Sequence, residues 1–93
     1  MSEVLVDGIP VNYAKVPVDY MAQAVEYYIE RGIQPGGFLS AVLSNDFIEA
    51  VGRADEENSN NLREWGVFLY NHLPAGSYGS QDNFNNWIRR SGK

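Results

Sequence analysis

Between Gly32 and Asn58 the chain reads GIQPGGFLSAVLSNDFIEAVGRADEEN: a Pro-Gly-Gly hinge, an apolar run and a dense Asn/Asp/Glu/Arg cluster with no spacer between them. Proline cannot continue a helix and glycine disfavours one, so the hinge forces a break just before the apolar run. Phe38, Leu39, Val42 and Leu43 then recur at three- and four-residue spacing, which predicts a short helix over 36–44 with Pro35 suited to its first turn. Ser44, Asn45 or Asp46 can cap the next short helix, which carries Phe47, Ile48 and Val51 on one face and ends near Gly52 or Arg53. The two segments are also compatible with one bent helix.

The same punctuation limits the rest of the chain. Asp7-Gly8 between two β-branched runs, Val4–Val6 and Ile9–Val11, is a strong hairpin signal, although Pro10 must sit at an edge or off the ladder. A short hairpin or a single extended arm is therefore expected over 1–16. Tyr20, Met21, Ala24, Val25, Tyr28 and Ile29 follow helical periodicity over 17–31, with Gly32 placed to end that helix in the left-handed conformation. Asp55, Glu56 and Glu57 form an acidic first turn for a long helix through Leu62, Trp65, Phe68, Leu69 and Leu73, closed by Pro74. After a loop of turn formers, Ser80 can cap a last helix bearing Phe84, Trp87 and Ile88, with Arg89 and Arg90 in its final turn and Gly92 as a stop. The expected fold is mainly α: a compact bundle of four to five short helices in a single domain, 1–93, with the N-terminal arm over 1–16 and the helical core over 17–91.

Composition narrows the function classes. A 93-residue chain buries about 60–65 % of the surface it exposes when unfolded, so its core is modest and self-association would help it. Twelve acidic against seven basic residues give a net charge of −5, which repels a phosphate backbone and argues against general nucleic-acid binding. The absence of cysteine removes disulfides, thiolate metal sites and cysteine nucleophiles. No apolar run reaches the ~18 residues of a membrane span, and MSEVLVDG lacks the basic and apolar regions of a signal peptide. A cytoplasmic protein is expected.

Candidate chemistry is sparse. Gly36 and Gly37 open a helix with unhindered backbone donors that could hold an anion, but the spacing of a phosphate loop and a nearby lysine are missing, so a structural turn is the simpler reading. Helical spacing puts Glu49 four residues before Arg53, the favourable order for an ion pair; Gly52 would let a neighbouring backbone approach, and Arg53 with Asp55 could link consecutive helices. Asp46, Glu49, Arg53 and His72 are the only residues with which an acid–base enzyme could be built. Nothing in the sequence separates the pKa values of the two carboxylates, and the lone His72 has no metal-binding spacing, so neither a catalytic residue nor a metal is expected. Asn58, Ser59, Asn60 and Asn61 are poor helix formers, read as solvated helix surface or, alternatively, as makers of specific hydrogen bonds. Six tyrosines cannot all lie in so small a core, and exposed tyrosine suits an interface. Tyr78, between Gly79 and Gly76-Ser77, could stack on a ligand above the Ser80 helix start, although a mobile linker with one anchoring ring is the plainer reading.

The ordered segments YYIERGIQPGGFLSAVLSNDFIEAVGRADEEN, LREWGVFLYNHLP and YGSQDNFNNWI resemble a group of short bacteriophage-encoded hypothetical proteins with no assigned activity. The resemblance spans roughly 27–88; members often read Trp-Gly-Ser at the Tyr78 loop and carry Leu at the segment of Phe47. It implies a non-enzymatic accessory protein, without cofactor, that works by stoichiometric binding in the host cytoplasm, as a homo-oligomer. The expected partner is a host protein that is blocked, or a small anionic ligand such as a nucleotide that is sequestered. Gly36, Gly37, Glu49, Arg53, Asp55, Asn58, Tyr78 and Ser80 are the candidate ligand- or partner-binding residues. A structural subunit without ligand is the alternative.

Overall fold

Asp7 and Gly8 make the turn the sequence predicts. In the computed structural model, which describes residues 3–91, strands β1 (Glu3–Val6) and β2 (Ile9–Asn12) pair antiparallel around them, with both turn residues left-handed at φ 54° and 79°. This is the turn geometry whose twist matches that of paired strands. Pro10 faces Leu5 across the ladder. In a two-residue hairpin that pair exchanges no hydrogen bonds, so the missing N–H of Pro10 points to the outer edge and the ladder loses nothing. Val11 points into the core and is fully buried, while Leu5 on the opposite face is 72 % exposed.

Helix α1 (Ala22–Arg31) begins later than the expected residue 17. Val18 is extended (φ −125°, ψ 114°), with its side chain buried, and a single 3-10 turn, Asp19–Met21, leads from it into the helix. Val16 and Val18 are both buried on the core, and the extended backbone at Val18 delays the helix. Gly32 ends α1 as expected, left-handed at φ 66°, with its N–H bonded to Tyr28.

The hinge is followed by two helices rather than one bent helix, α2 (Gly37–Leu43) and α3 (Phe47–Arg53). Asn45 between them is left-handed at φ 63°, and the Asp46 N–H closes the turn onto the Ala41 carbonyl at 2.8 Å. Of the three possible caps it is Asp46 that serves α3, its carboxylate accepting from the Glu49 N–H. The apolar face of α3 points outward: Phe47 is 66 % and Ile48 77 % exposed, and only Ala50 is buried.

The long helix expected from Asp55 onward is divided into α4 (Glu56–Ser59) and α5 (Leu62–His72), bringing the α-helix count among the described residues to six. Asn61 has φ −122° and uses its side-chain amide to bond the Glu57 carbonyl, while Asn58 is buried and accepts a 2.9 Å bond from the Trp65 indole N–H. Asn58 and Asn61 thus compete with the helix ladder for backbone and indole partners, and the ladder yields. The solvated-surface reading fails at Asn58. Helix α6 (Gln81–Ser91) is capped by Ser80, whose hydroxyl accepts from the Asn83 N–H; the expected stop at Gly92 lies outside the described residues.

One cluster of buried side chains unites these elements, from Val11 through Tyr28, Leu39, Leu43, Trp65 and Phe68 to Phe84 and Trp87. Each large aromatic with a polar end finds a partner: Tyr28 donates to the Ser77 carbonyl at 2.7 Å, and Trp87 to the Ile29 carbonyl at 3.1 Å. Tyr13 is the exception; its buried hydroxyl meets no partner of good geometry, and burial, with Glu30 close by, raises its pKa. The result is a single body with a radius of gyration of 12.0 Å.

The left-handed joint at Asn45 sets up a direct test. Because a non-glycine residue without asparagine's tolerance costs about 1–2 kcal/mol in that conformation, Asn45→Ala is expected to lose about 1 kcal/mol in urea unfolding, with Asn45→Gly changing it by less than about 0.5 kcal/mol.

Candidate functional site

Two grooves meet at the α2–α3 joint, and they differ in chemistry. The first, about 350 Å³, runs between the joint and α5. Ala41, Val42, Phe47 and Ala50 form one wall, Leu62, Trp65, Leu69 and Tyr70 the other, and Tyr78 with Gly79 closes the end; Gly66 lines it from mid-α5. The helical period produces the α5 wall, since Leu62, Gly66, Leu69 and Tyr70 share one flank. The apolar character continues outward over α3, where Phe47, Ile48, Val51 and Gly52 span one side of the helix. Tyr70 stands at the α5 rim with 80 % of its surface exposed.

The second groove, about 370 Å³, lies at the start of α2 and is lined by Pro35, Gly37, Ser40, Ser44, Asp46, Glu49, Arg53, Gln81 and others. It brings together Gly37, Glu49 and Arg53 of the expected binding residues. Glu49 and Arg53 form the expected ion pair, and Arg53 then lies against Gly37 so closely that a β-carbon there would be 2.8 Å from its Cδ. A side chain at position 37 would require the Arg53 side chain to shift. Gly52, expected to admit a neighbouring backbone, has nothing within 4 Å of where its β-carbon would stand. With Asp46 and Glu49 against one guanidinium, this groove carries excess negative charge and no unpaired cation. That is a poor setting for a phosphate.

The other expected residues are dispersed. Gly36 is the extended cap of α2 and lines neither groove; Ser80 caps α6; Tyr78 sits in the apolar groove. The loop around Tyr78 is pinned rather than a mobile linker: Ser77 is fully buried and its hydroxyl bonds the Pro74 carbonyl, the Gly79 N–H bonds the Leu43 carbonyl, and Asn83 bonds the Tyr78 carbonyl. Asn58 is in the core. Asp55 forms no ion pair with Arg53 and instead caps α4 through the Asn58 N–H, while its other oxygen accepts a short hydrogen bond from the exposed Tyr20 hydroxyl. That hydroxyl, then the Asn58 N–H, holds the Asp55 carboxyl below its ordinary range, and the same bond pushes the Tyr20 phenol up to about 12.

His72 stacks on Phe68 with ring centroids 5.5 Å apart, in a third groove with Lys15, Pro17, Arg63 and Glu64. It lines a different groove from Asp46, Glu49 and Arg53. Among the described residues no group of three or more His, Asp or Glu is placed to hold a metal, and no helix is long and apolar enough to cross a membrane.

Sequence reasoning took Phe47, Ile48 and Val51 as one face of a helix and Tyr70 only as one of six tyrosines, and passed over Gly66, without placing any of them in a site. A signal was available: FIEAVGR holds Ala50 as well as Phe47, Ile48 and Val51, more apolar surface than one buried face of a seven-residue helix needs. No protein-family model, curated protein or solved structure matches the chain.

The Tyr20–Asp55 bond gives a pH-dependent outcome. Asp55 is depressed in the fold, so its contribution to stability is complete above the unfolded aspartate pKa near ~3.9 and is lost as pH falls through the folded value. Tyr20 is raised, so its contribution holds below ~10 and disappears as pH rises through about 12. In Tyr20→Phe the Asp55 carboxyl, followed by carbon-detected NMR, is expected to titrate at higher pH than in the wild type. An unchanged midpoint would mean that the bond does not hold the carboxylate.

Proposed function

We propose that this is a non-enzymatic binding protein that blocks a partner protein through the apolar face formed by α3 and α5. One observation carries the reading: Phe47 and Tyr70, both more than 60 % exposed, line a mainly apolar groove with Asn45 and Asp46 at its polar end, and Ile48, 77 % exposed, extends the apolar surface beside Phe47 on α3. Contiguous apolar surface of this kind is uncommon on a chain that has no use for it and marks contact with another molecule. Tyrosine and phenylalanine are also the side chains that anchor interfaces, because they bury much area for few rotatable bonds.

The resemblance of residues 27–88 to short phage proteins sets this activity in a host cytoplasm, with a host factor as the blocked protein. Stoichiometric occlusion needs a rigid surface and no reacting group. Rigidity is supported by the tethers beneath the groove, in which Trp65 and the Tyr78 loop are held by hydrogen bonds to buried partners. Sequestration of a small anion draws no comparable support, since Arg53 lies over Gly37 and that cation is already paired with Glu49.

Installing a photo-crosslinking residue at Tyr70 and, as a control, at exposed Asn86 on α6 tests the reading in bacterial host extract. The expected result is one principal adduct from position 70 that disappears when excess unlabelled wild type is added but survives excess Ile48→Asp. Equal adducts from both positions, or equal competition by the two proteins, would overturn it.

A further inference from the structure

Resting on the reading that the α3–α5 face is a binding surface, we infer that in the free protein that face is covered by a second copy of this chain, in a two-fold symmetric dimer that the partner protein must displace. A two-fold interface pairs a surface with itself, so the surface must carry both a protrusion and a recess to receive it. This face has both. Phe47 and Ile48 project from α3, and the groove beside them runs over Gly66. The side of α3 made by Phe47, Ile48, Val51 and Gly52 lies along the α5 flank of the other copy, and the same contact repeats in reverse.

Gly66 and Gly52 support a close approach. Both are helical, so neither needs glycine for its backbone angles, and glycine weakens a helix interior relative to alanine. Nothing in the chain comes within 4 Å of where either β-carbon would stand, so internal packing does not demand glycine either. A helix seated from outside does.

The charges are self-complementary in the same sense. The α3 wall carries the Asp46 carboxylate at the groove, and Arg63, which lines the His72 groove, stands on the adjoining flank of α5, one turn before Gly66 and Val67. Among the described residues neither takes part in an ion pair. A two-fold axis that sets α3 of one copy on α5 of the other brings Asp46 toward Arg63 twice, which offsets the repulsion between two chains of net charge −5.

The area is also sufficient. Aromatic side chains present roughly 150–250 Å² each, so Phe47 and Tyr70 expose roughly 300 Å² between them, and Ile48 with Val51 brings the patch to on the order of 500 Å². A standard interface takes about 800 Å² from each subunit, of which about 65 % is apolar in homodimers. The patch supplies that apolar share, with Asp46, Arg63 and the Tyr70 hydroxyl at the rim.

Sedimentation equilibrium of the full chain tests the inference. The wild type is expected to be dimeric at about 100 µM and to dissociate on dilution. Ile48→Asp, at a position 77 % exposed in the monomer, is expected to weaken association at least about 100-fold, and Arg63→Glu about tenfold, both with unchanged far-ultraviolet circular dichroism. Leu5→Asp, equally exposed but on the hairpin, is expected to leave association unaltered. A wild type that stays monomeric at about 100 µM overturns the dimer, as does a dimer that survives both α3–α5 variants or is broken by Leu5→Asp. The adduct from Tyr70 separates the two readings: a monomer that still gives a competed adduct to a foreign protein loses only the dimer, whereas a monomer with no competed adduct loses both.

Discussion

The hydrogen bond from the Trp65 indole to the Asn58 side chain is the constraint around which the rest is arranged. Trp65 is 1 % exposed, with Phe38 and Phe68 edge-on to it at 5.9 and 6.2 Å, so its N–H has no access to water. A buried donor left without a partner costs about 1–3 kcal/mol, and the chain meets the need from seven residues upstream. To deliver its carbonyl, Asn58 must leave the surface, which divides the helix into α4 and α5. The same tryptophan, fixed in this way, forms part of the groove wall beside Gly66. Core satisfaction and surface shape are thus two results of one contact.

Short-range features of the fold were legible and long-range ones were not. The Asp7-Gly8 turn, the Gly32 stop, the Ser80 cap and the Glu49–Arg53 pair all involve residues within four positions of each other, where backbone preference and helix geometry decide the outcome. The burial of Asn58 depended on Trp65, and the contact at Gly37 depended on Arg53, sixteen residues away on another helix. The orientation of α3 was beyond reach for a different reason. With apolar residues over most of its circumference, the seven-residue helix could have turned either side inward, and the small side chain of Ala50 fits against the core where Phe47 would not. Of the eight residues proposed for the site, three gather in the polar groove, and Tyr78 alone reaches the apolar one.

The two grooves show how one joint can separate two environments. Ala41 and Asp46 line both, yet one side of α3 presents Glu49 and Arg53 and the other presents Phe47 and Val51. At the far end of the molecule, Arg90 holds Asp7 through two 2.8 Å bonds while lying over the Trp87 ring, which fastens the hairpin to α6 and keeps the Asp7 carboxyl below its usual range. The charged contacts described here all lie at the surface, where they orient elements more than they stabilise them.

Pro10 has an effect that extends past the single molecule. Two-stranded sheets leave open edges on which further strands can stack, and a chain with Leu5 exposed beside such an edge would be prone to end-on polymerisation. At the outer edge of β2 the proline offers no N–H where an incoming strand would need one. A residue that appears only to interrupt a strand therefore closes the outer edge of β2 to further pairing.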